Sequence, residues 1–87
     1  MLRIYVDFNS RERFGRVFIR LGPPNNEHLN ESMLQEGMTV LLDSEDMQSH
    51  GVLARGVYGD WVCDIVPGSN RHLPPSEWDR FKKKPSD

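Results

Sequence analysis

The sequence is short of most of what chemistry needs. It has one cysteine, Cys63, among 87 residues, so an internal disulfide and a cysteine-based zinc cage are both excluded. Its three histidines, His28, His50 and His72, stand far apart, and none has a neighbour at the paired spacing of a zinc site. No glycine-rich run is followed by Lys-Ser/Thr as a phosphate loop requires, since Gly51, Gly56 and Gly59 have the wrong spacing. Apolar runs fall well short of the ~18–20 residues of a membrane span, and the opening residues are β-patterned rather than a charged stub before an apolar signal region. A cytoplasmic protein that is not an enzyme, needs no cofactor and holds no metal is the expectation.

What remains is an ordinary globular composition, 37% hydrophobic and 28% charged, enough for one small core. The net charge of −2 hides a strong asymmetry. Residues 1–21 carry +3, residues 22–70 carry −7 and residues 71–87 carry +2. Blocks of opposite sign pair within a fold or with a partner.

Period-two alternation dominates the first quarter of the chain. Leu2, Ile4, Val6 and Phe8 alternate with Arg3, Tyr5 and Asp7, and Val17, Ile19 and Leu21 alternate with Arg16, Phe18 and Arg20. Two strands, Leu2 to Phe8 and about Arg13 to Leu21, are expected, joined by the turn-forming "NSRERFG" and paired antiparallel with the aliphatic rows buried. Phe14 and Gly15 break the alternation, which suits a bulge. Gly22, Pro23 and Pro24 end the second strand. Asn25 or Asn26 is placed to cap a short helix carrying Leu29 and Met33 and stopped by Gly37.

Further strands are expected in "GMTVLLD", with Val40 and Leu42 inward, from about His50 to Arg55, and in "DWVCDIV", with Trp61, Cys63 and Ile65 on one face. "SNRHL" offers a short closing strand before Pro74 and Pro75. The fold class is therefore mainly β: a five- to six-stranded antiparallel barrel or bent sheet over residues 1–75 with one short helix, then a helical turn and a disordered basic tail over 76–87.

The order "LQEGMTVLLDSED", "HGVLARG", "GDWVCDIV" resembles the second half of a small SH3-like barrel, and the "DFNSRERFGRV" hairpin is similar to that of short uncharacterised bacterial proteins. The likeness spans roughly residues 1–73 and implies a fold without implying an activity.

Function is then sought on surfaces. Cys63 is in phase with Trp61 and Ile65 and reads as a buried small hydrophobe rather than a nucleophile. "DSED" at 43–46 lacks the glycine and glutamate that a calcium loop would put at positions 48 and 54, and reads as a solvated turn. If the first two strands pair, Arg3, Tyr5, Arg16, Phe18 and Arg20 share one face. Such a face suits an unidentified protein partner, with Asp43, Glu45 and Asp46 as a second contact. Alternatively it grips single-stranded nucleic acid, with aromatic rings stacking bases and arginines holding phosphates. The acidic net charge favours the protein partner. Trp78 and Phe81, beside Lys82, Lys83 and Lys84, form a third aromatic and basic surface.

Overall fold

The computed structural model describes residues 1–77; the surface expected at Trp78 and Phe81 lies outside the described residues. Six strands form one sheet: β1 (Arg3–Tyr5), β2 (Val17–Phe18), β3 (Thr39–Asp43), β4 (Met47–Arg55), β5 (Trp61–Ile65) and β6 (Arg71–His72). The order across the sheet is β1-β3-β4-β5-β2, with β6 added to β4. The sheet curls into a half-barrel.

Its centre is the meander β3–β4–β5. Val40 and Leu42 point inward as the alternation requires, and both are fully buried with Leu53, Cys63 and Val62. Val62, on the opposite face of β5 from Cys63, is buried too, so β5 is covered on both sides. Gly51 on β4 makes the close packing feasible. A methyl group at its Cβ position would stand 2.3 Å from Cys63 Sγ and 2.8 Å from Leu42 Cδ1, inside van der Waals contact.

The first strand departs from the expected hairpin. β1 pairs parallel with β3, Arg3 opposite Leu41 and Tyr5 opposite Asp43, whereas β2 pairs antiparallel with β5 at the other end of the sheet. The reason is local. Ser10 N–H closes a turn on Asp7 O, and Asp7 Oδ1 accepts from Asn9 N–H, so the chain is turned out of the strand immediately after β1. A second turn follows, in which Gly15 takes φ +85° and donates to Glu12 O. The expected bulge at Phe14-Gly15 is this turn. Residues 10–12, rather than β1, run beside β2, with Phe18 N–H on Ser10 O and Glu12 N–H on Arg16 O. "NSRERFG" thus makes two turns where one was expected.

The buried rows largely follow the alternation. Ile4, Val6, Val17 and Ile19 are in the core, while Leu21 is exposed. The short helix is absent: residues 22–36 hold only a 3-10 turn, Glu31–Met33, and Asn30 before it makes no side-chain cap. Leu29 and Leu34, five apart, are the buried anchors of this connection, and Met33 is exposed. A single turn is enough to lay two leucines on the core, and a longer helix would have gained little without packing of its own. On the outside, Arg55 stacks 3.8 Å over Trp61 and reaches Glu31 at 3.2 Å, tying the connection to β4 and β5.

Candidate functional site: the open seam

β1 and β2 are the two ends of the curled sheet, and they face each other across a seam that no backbone ladder closes. In a parallel pair the amides of alternate residues point to the partner strand. Leu41 N–H donates to Leu2 O and Val6 N–H to Asp43 O, which leaves the main-chain groups of Arg3 and Tyr5 directed outward. Side chains from the 22–30 connection meet them. Tyr5 N–H donates to Asn26 Oδ1 at 2.8 Å, and Asn26 Nδ2 donates to Tyr5 O at 2.8 Å and to Arg20 O at 2.7 Å. His28 Nε2 lies 2.8 Å from Arg3 O, where its N–H donates.

Asn26 therefore acts as one residue of a missing strand. A primary amide carries the same donor and acceptor as a peptide group, so it can complete the outer edge of β1 and pull the chain at Arg20 toward it. Asn26 is only 4% exposed. It is held from behind by a tight loop, Asn26 N–H to Gly22 O and Gly22 N–H to Asn26 O, with Gly22 at φ +91° and a cis peptide between Pro23 and Pro24. The sequence marked Asn26 as a helix cap. Nothing in the pattern "GPPNN" distinguishes a capping asparagine from a bridging one, because the partner groups are distant in sequence.

Above this bridge the seam opens into a groove of about 280 Å³ lined by Tyr5, Asp7, Ser10, Phe18, Arg20 and the 22–26 loop. Two further depressions adjoin it through shared walls. One of about 310 Å³ continues from Phe18 to Arg11, Arg13, Val57 and Tyr58. The other, about 570 Å³, continues from Tyr5, Val6 and Asp7 to Phe8, Glu45, Asp46, Met47 and His72. Tyr58 is 93% exposed and Val57 about half exposed, so the first extension ends in an apolar tip.

The five residues expected to share a face are divided by this geometry. Tyr5, Phe18 and Arg20 line the same groove, although their strands never pair. Arg3 is engaged elsewhere: its Nε and Nη2 hold Asp43 Oδ2 at 2.7 and 2.6 Å. Arg16 is bound to Glu12 and also reaches Arg55 O at 3.4 Å. Among the described residues Arg20 enters no ion pair.

The acidic turn is divided likewise. Asp43, fully buried, accepts from Arg3 and from Gln48 Nε2 at 3.3 Å, so it belongs to the fold, whereas Glu45 and Asp46 are exposed on the groove wall. This corrects the expectation that all three form one contact surface. Alternation places Asp43 in a strand but cannot show that Arg3 lies beside it, because that contact depends on the parallel pairing.

The groove is electrically graded. Arg11 and Arg13 stand at one end, where Glu12 is already neutralised by Arg16. Arg11 is fixed there by bonds to Phe8 O and Gly15 O. Arg20 and Asp7 both line the middle, and Asp7, Glu45 and Asp46 define the other end. The charge blocks foreshadowed a dipole, but Arg11, Arg13, Asp7 and Tyr58 were not legible as groove residues.

The remaining chemistry is quiet. Cys63 is buried, and burial together with the nearby Asp64 charge pushes its thiol up to about 12, away from the thiolate a nucleophile needs. Among the described residues no three His, Cys, Asp or Glu side chains gather as metal ligands, and His72 pairs in register with Met47 rather than His50. No described helix is long and apolar enough to cross a membrane. In comparisons with known proteins, no family model matches the chain, and neither a curated protein nor a solved structure shows significant similarity to it.

Proposed function

We propose that the protein is a small cytoplasmic interaction module that takes an extended peptide segment of a partner protein into the seam between β1 and β2. The observation that carries this reading is the meeting of Tyr5, Phe18 and Arg20 across one groove. Aromatic walls with an arginine between them suit an extended chain: rings cover its apolar side chains, and the guanidinium takes a carboxylate or carbonyl. The SH3-like resemblance is part of this proposal, as a small curled sheet presenting an aromatic groove. Strand addition at the outer edge of β1 is disfavoured, because Asn26 and His28 already occupy the outward groups of Arg3 and Tyr5.

The charge gradient separates this reading from nucleic-acid binding. Arg11, Arg13 and Arg20 near Phe18 and Tyr58 would suit a phosphate backbone, but a strand lying along the whole groove would bring its uniform negative charge onto Asp7, Glu45 and Asp46. A peptide with acidic residues at one end and basic residues at the other meets no such conflict.

The test compares labelled ten-residue peptides, acidic-proline-basic in both sequence directions, with a labelled ten-nucleotide RNA strand by fluorescence anisotropy at low and moderate salt. One of the two peptides is expected to bind at micromolar affinity, and Phe18→Ala or Arg20→Glu to weaken it about tenfold or more, roughly 1.4 kcal/mol. RNA binding that Arg20→Glu abolishes, with neither peptide retained, would overturn the reading.

A further inference from the structure

The extension of the groove beyond Phe18 holds a polar atom that the fold leaves unanswered. Asp60 lines this pocket of about 310 Å³, and its Oδ1 is buried with no hydrogen-bond partner among the described residues. The reason lies in where the neighbouring donors go. Gly56 N–H donates to Asp60 O at 2.7 Å and Gly59 N–H to Gly56 O at 3.0 Å, so the turn after β4 is closed on main-chain acceptors. Arg55 Nη1 donates to Gly59 O at 3.0 Å, Arg16 is taken by Glu12, and Arg11 by Phe8 O and Gly15 O. Gly56 adds the steric half. A Cβ there would stand 2.5 Å from Asp60 Oδ1 and 3.2 Å from Glu12 Oε2, so the bare glycine lets both carboxylates close in on the backbone. A buried acceptor without a donor is costly, and such an atom in a native fold asks for an explanation.

The rest of the pocket narrows that explanation. Phe18, Val57 and Tyr58 supply apolar walls, with Val57 52% and Tyr58 93% exposed. Apolar surface gathered around one polar group is characteristic of a binding site. Arg11 and Arg13 line the pocket as well, and with Glu12 already paired to Arg16 these two guanidinium groups outnumber the Asp60 carboxylate. That excess disfavours a lysine or arginine as the missing donor. A serine or threonine hydroxyl would reach the carboxylate but leave the walls uncovered. A neutral ring that carries an N–H answers both. The indole of tryptophan donates and cannot accept, the counterpart of a carboxylate that only accepts, and its faces suit guanidinium stacking.

Resting on the peptide-groove reading and specifying its partner, we propose that this pocket is the anchor site for one tryptophan of the bound peptide, with the indole N–H donating to Asp60 and the ring between Phe18, Val57 and Tyr58. The terminal torsion of an aspartate is broad, so turning the carboxylate toward the pocket needs no backbone movement. Buried tryptophan is among the side chains that concentrate binding energy at interfaces. The groove lined by Tyr5 and Arg20 then takes the length of the peptide, and the pocket beyond Phe18 selects the residue beside its acidic end.

For the test, both acidic-proline-basic peptides are made in three forms, with tryptophan, alanine or benzothienylalanine beside the acidic segment. In the last, sulfur replaces the indole N–H at nearly the same size. Fluorescence anisotropy on the full-length chain should show the tryptophan form binding about thirtyfold tighter than alanine and about tenfold tighter than benzothienylalanine. Asp60→Ala should erase the second difference while keeping most of the first. Tyr58→Ala, at a side chain outside the core, should weaken the tryptophan form about fivefold. In parallel, 3-methylindole alone should shift the amide NMR resonances of residues 11–13 and 57–60.

Equal affinity of the tryptophan and benzothienylalanine forms for the native chain would overturn the proposal, and that comparison needs no variant to fold. All three forms of one peptide binding alike would overturn the anchor pocket and leave the interaction-module reading standing. Shifts from 3-methylindole that Asp60→Ala diminishes, with no peptide bound in any form, would support the pocket and defeat the partner-peptide reading instead. No response to 3-methylindole or to any peptide would overturn both.

Discussion

The meander β3–β4–β5 and the seam between β1 and β2 belong to one sheet but are closed by different means. In the meander, Thr39 to Asp43 pairs with Gln48 to Val52, and Gly51 to Arg55 with Trp61 to Ile65, in unbroken antiparallel register. Main-chain hydrogen bonds recur at alternate residue pairs along both ladders, and no single side chain is needed to make them. Across the seam the join is made by two side chains, Asn26 and His28, which supply a few bonds where a further strand would have supplied a ladder. The difference explains why the groove lies at the seam. A ladder brings strands about 4.8 Å apart and leaves no room between them, whereas a side-chain bridge holds two edges at a distance and leaves a trough above it.

The comparison is broken most severely from the meander side. Gly51→Val should cost roughly 3 kcal/mol or more, because its new side chain overlaps Cys63 Sγ and Leu42 Cδ1 in a fully buried layer. Denaturant melts would register this as a lower midpoint. Adding Cys63→Ala to the milder Gly51→Ala should recover part of the loss, since it vacates the space the methyl enters. A Gly51→Val protein as stable as the parent would show that the meander is less tightly packed than its geometry implies.

Asn26→Asp comes next and strikes the seam alone. The carboxylate retains the bond from Tyr5 N–H but loses both donations, and it turns a negative charge toward the carbonyls of Tyr5 and Arg20. A loss of about 2–3 kcal/mol is expected, larger than for Asn26→Ala, which only leaves groups unpaired. Hydrogen exchange sharpens the contrast: the Tyr5 amide should exchange faster while amides within β4 change only with global stability. Equal acceleration throughout would mean that seam and meander open as one unit.

The smallest effect is confined to alkaline solution. The native Cys63 thiol is raised to about 12 from an ordinary 9.0, so between those values the unfolded chain releases a proton that the native chain keeps. Stability is unaffected by this group below pH 9.0 and falls as the pH rises above it. At pH 10 the loss is about 1 kcal/mol, and it should disappear from the pH profile of Cys63→Ala. An unchanged slope in that variant would show that the thiol is accessible to solvent and that the meander is looser at its centre.

Much of the meander was legible because its signals are local. Val40 and Leu42, or Trp61 and Cys63, are placed by alternation within a few residues, and their strands are joined by short turns that leave antiparallel pairing as the ready arrangement. The strands expected within 37–43 and 60–66 are found at Thr39–Asp43 and Trp61–Ile65, one or two residues shorter than alternation put them. The weak closing strand at Arg71–His72 was visible as well, its position marked by the two prolines after it. The seam had no such signal. "MLRIYVDF" and "RFGRVFIRL" indicate two strands and their buried rows, and Ile4, Val6, Val17 and Ile19 are buried accordingly. Their partners are β3 and β5, at separations in sequence that no alternation encodes.

The sequence by itself thus determined a mainly β chain, the faces of its principal strands, a buried unreactive cysteine and a polarised distribution of charge. Tertiary structure decided which of the charged residues were spent within the fold: Arg3 on Asp43 and Arg16 on Glu12, with Arg20 left facing the groove beside Tyr5 and Phe18. It also converted Asn26 from an expected cap into a bridge. The physical reason is common to both outcomes. Side-chain orientation is set by the two-residue period of the backbone, while pairing, and with it the neighbours of each polar group, is set by which edges the curled sheet brings together.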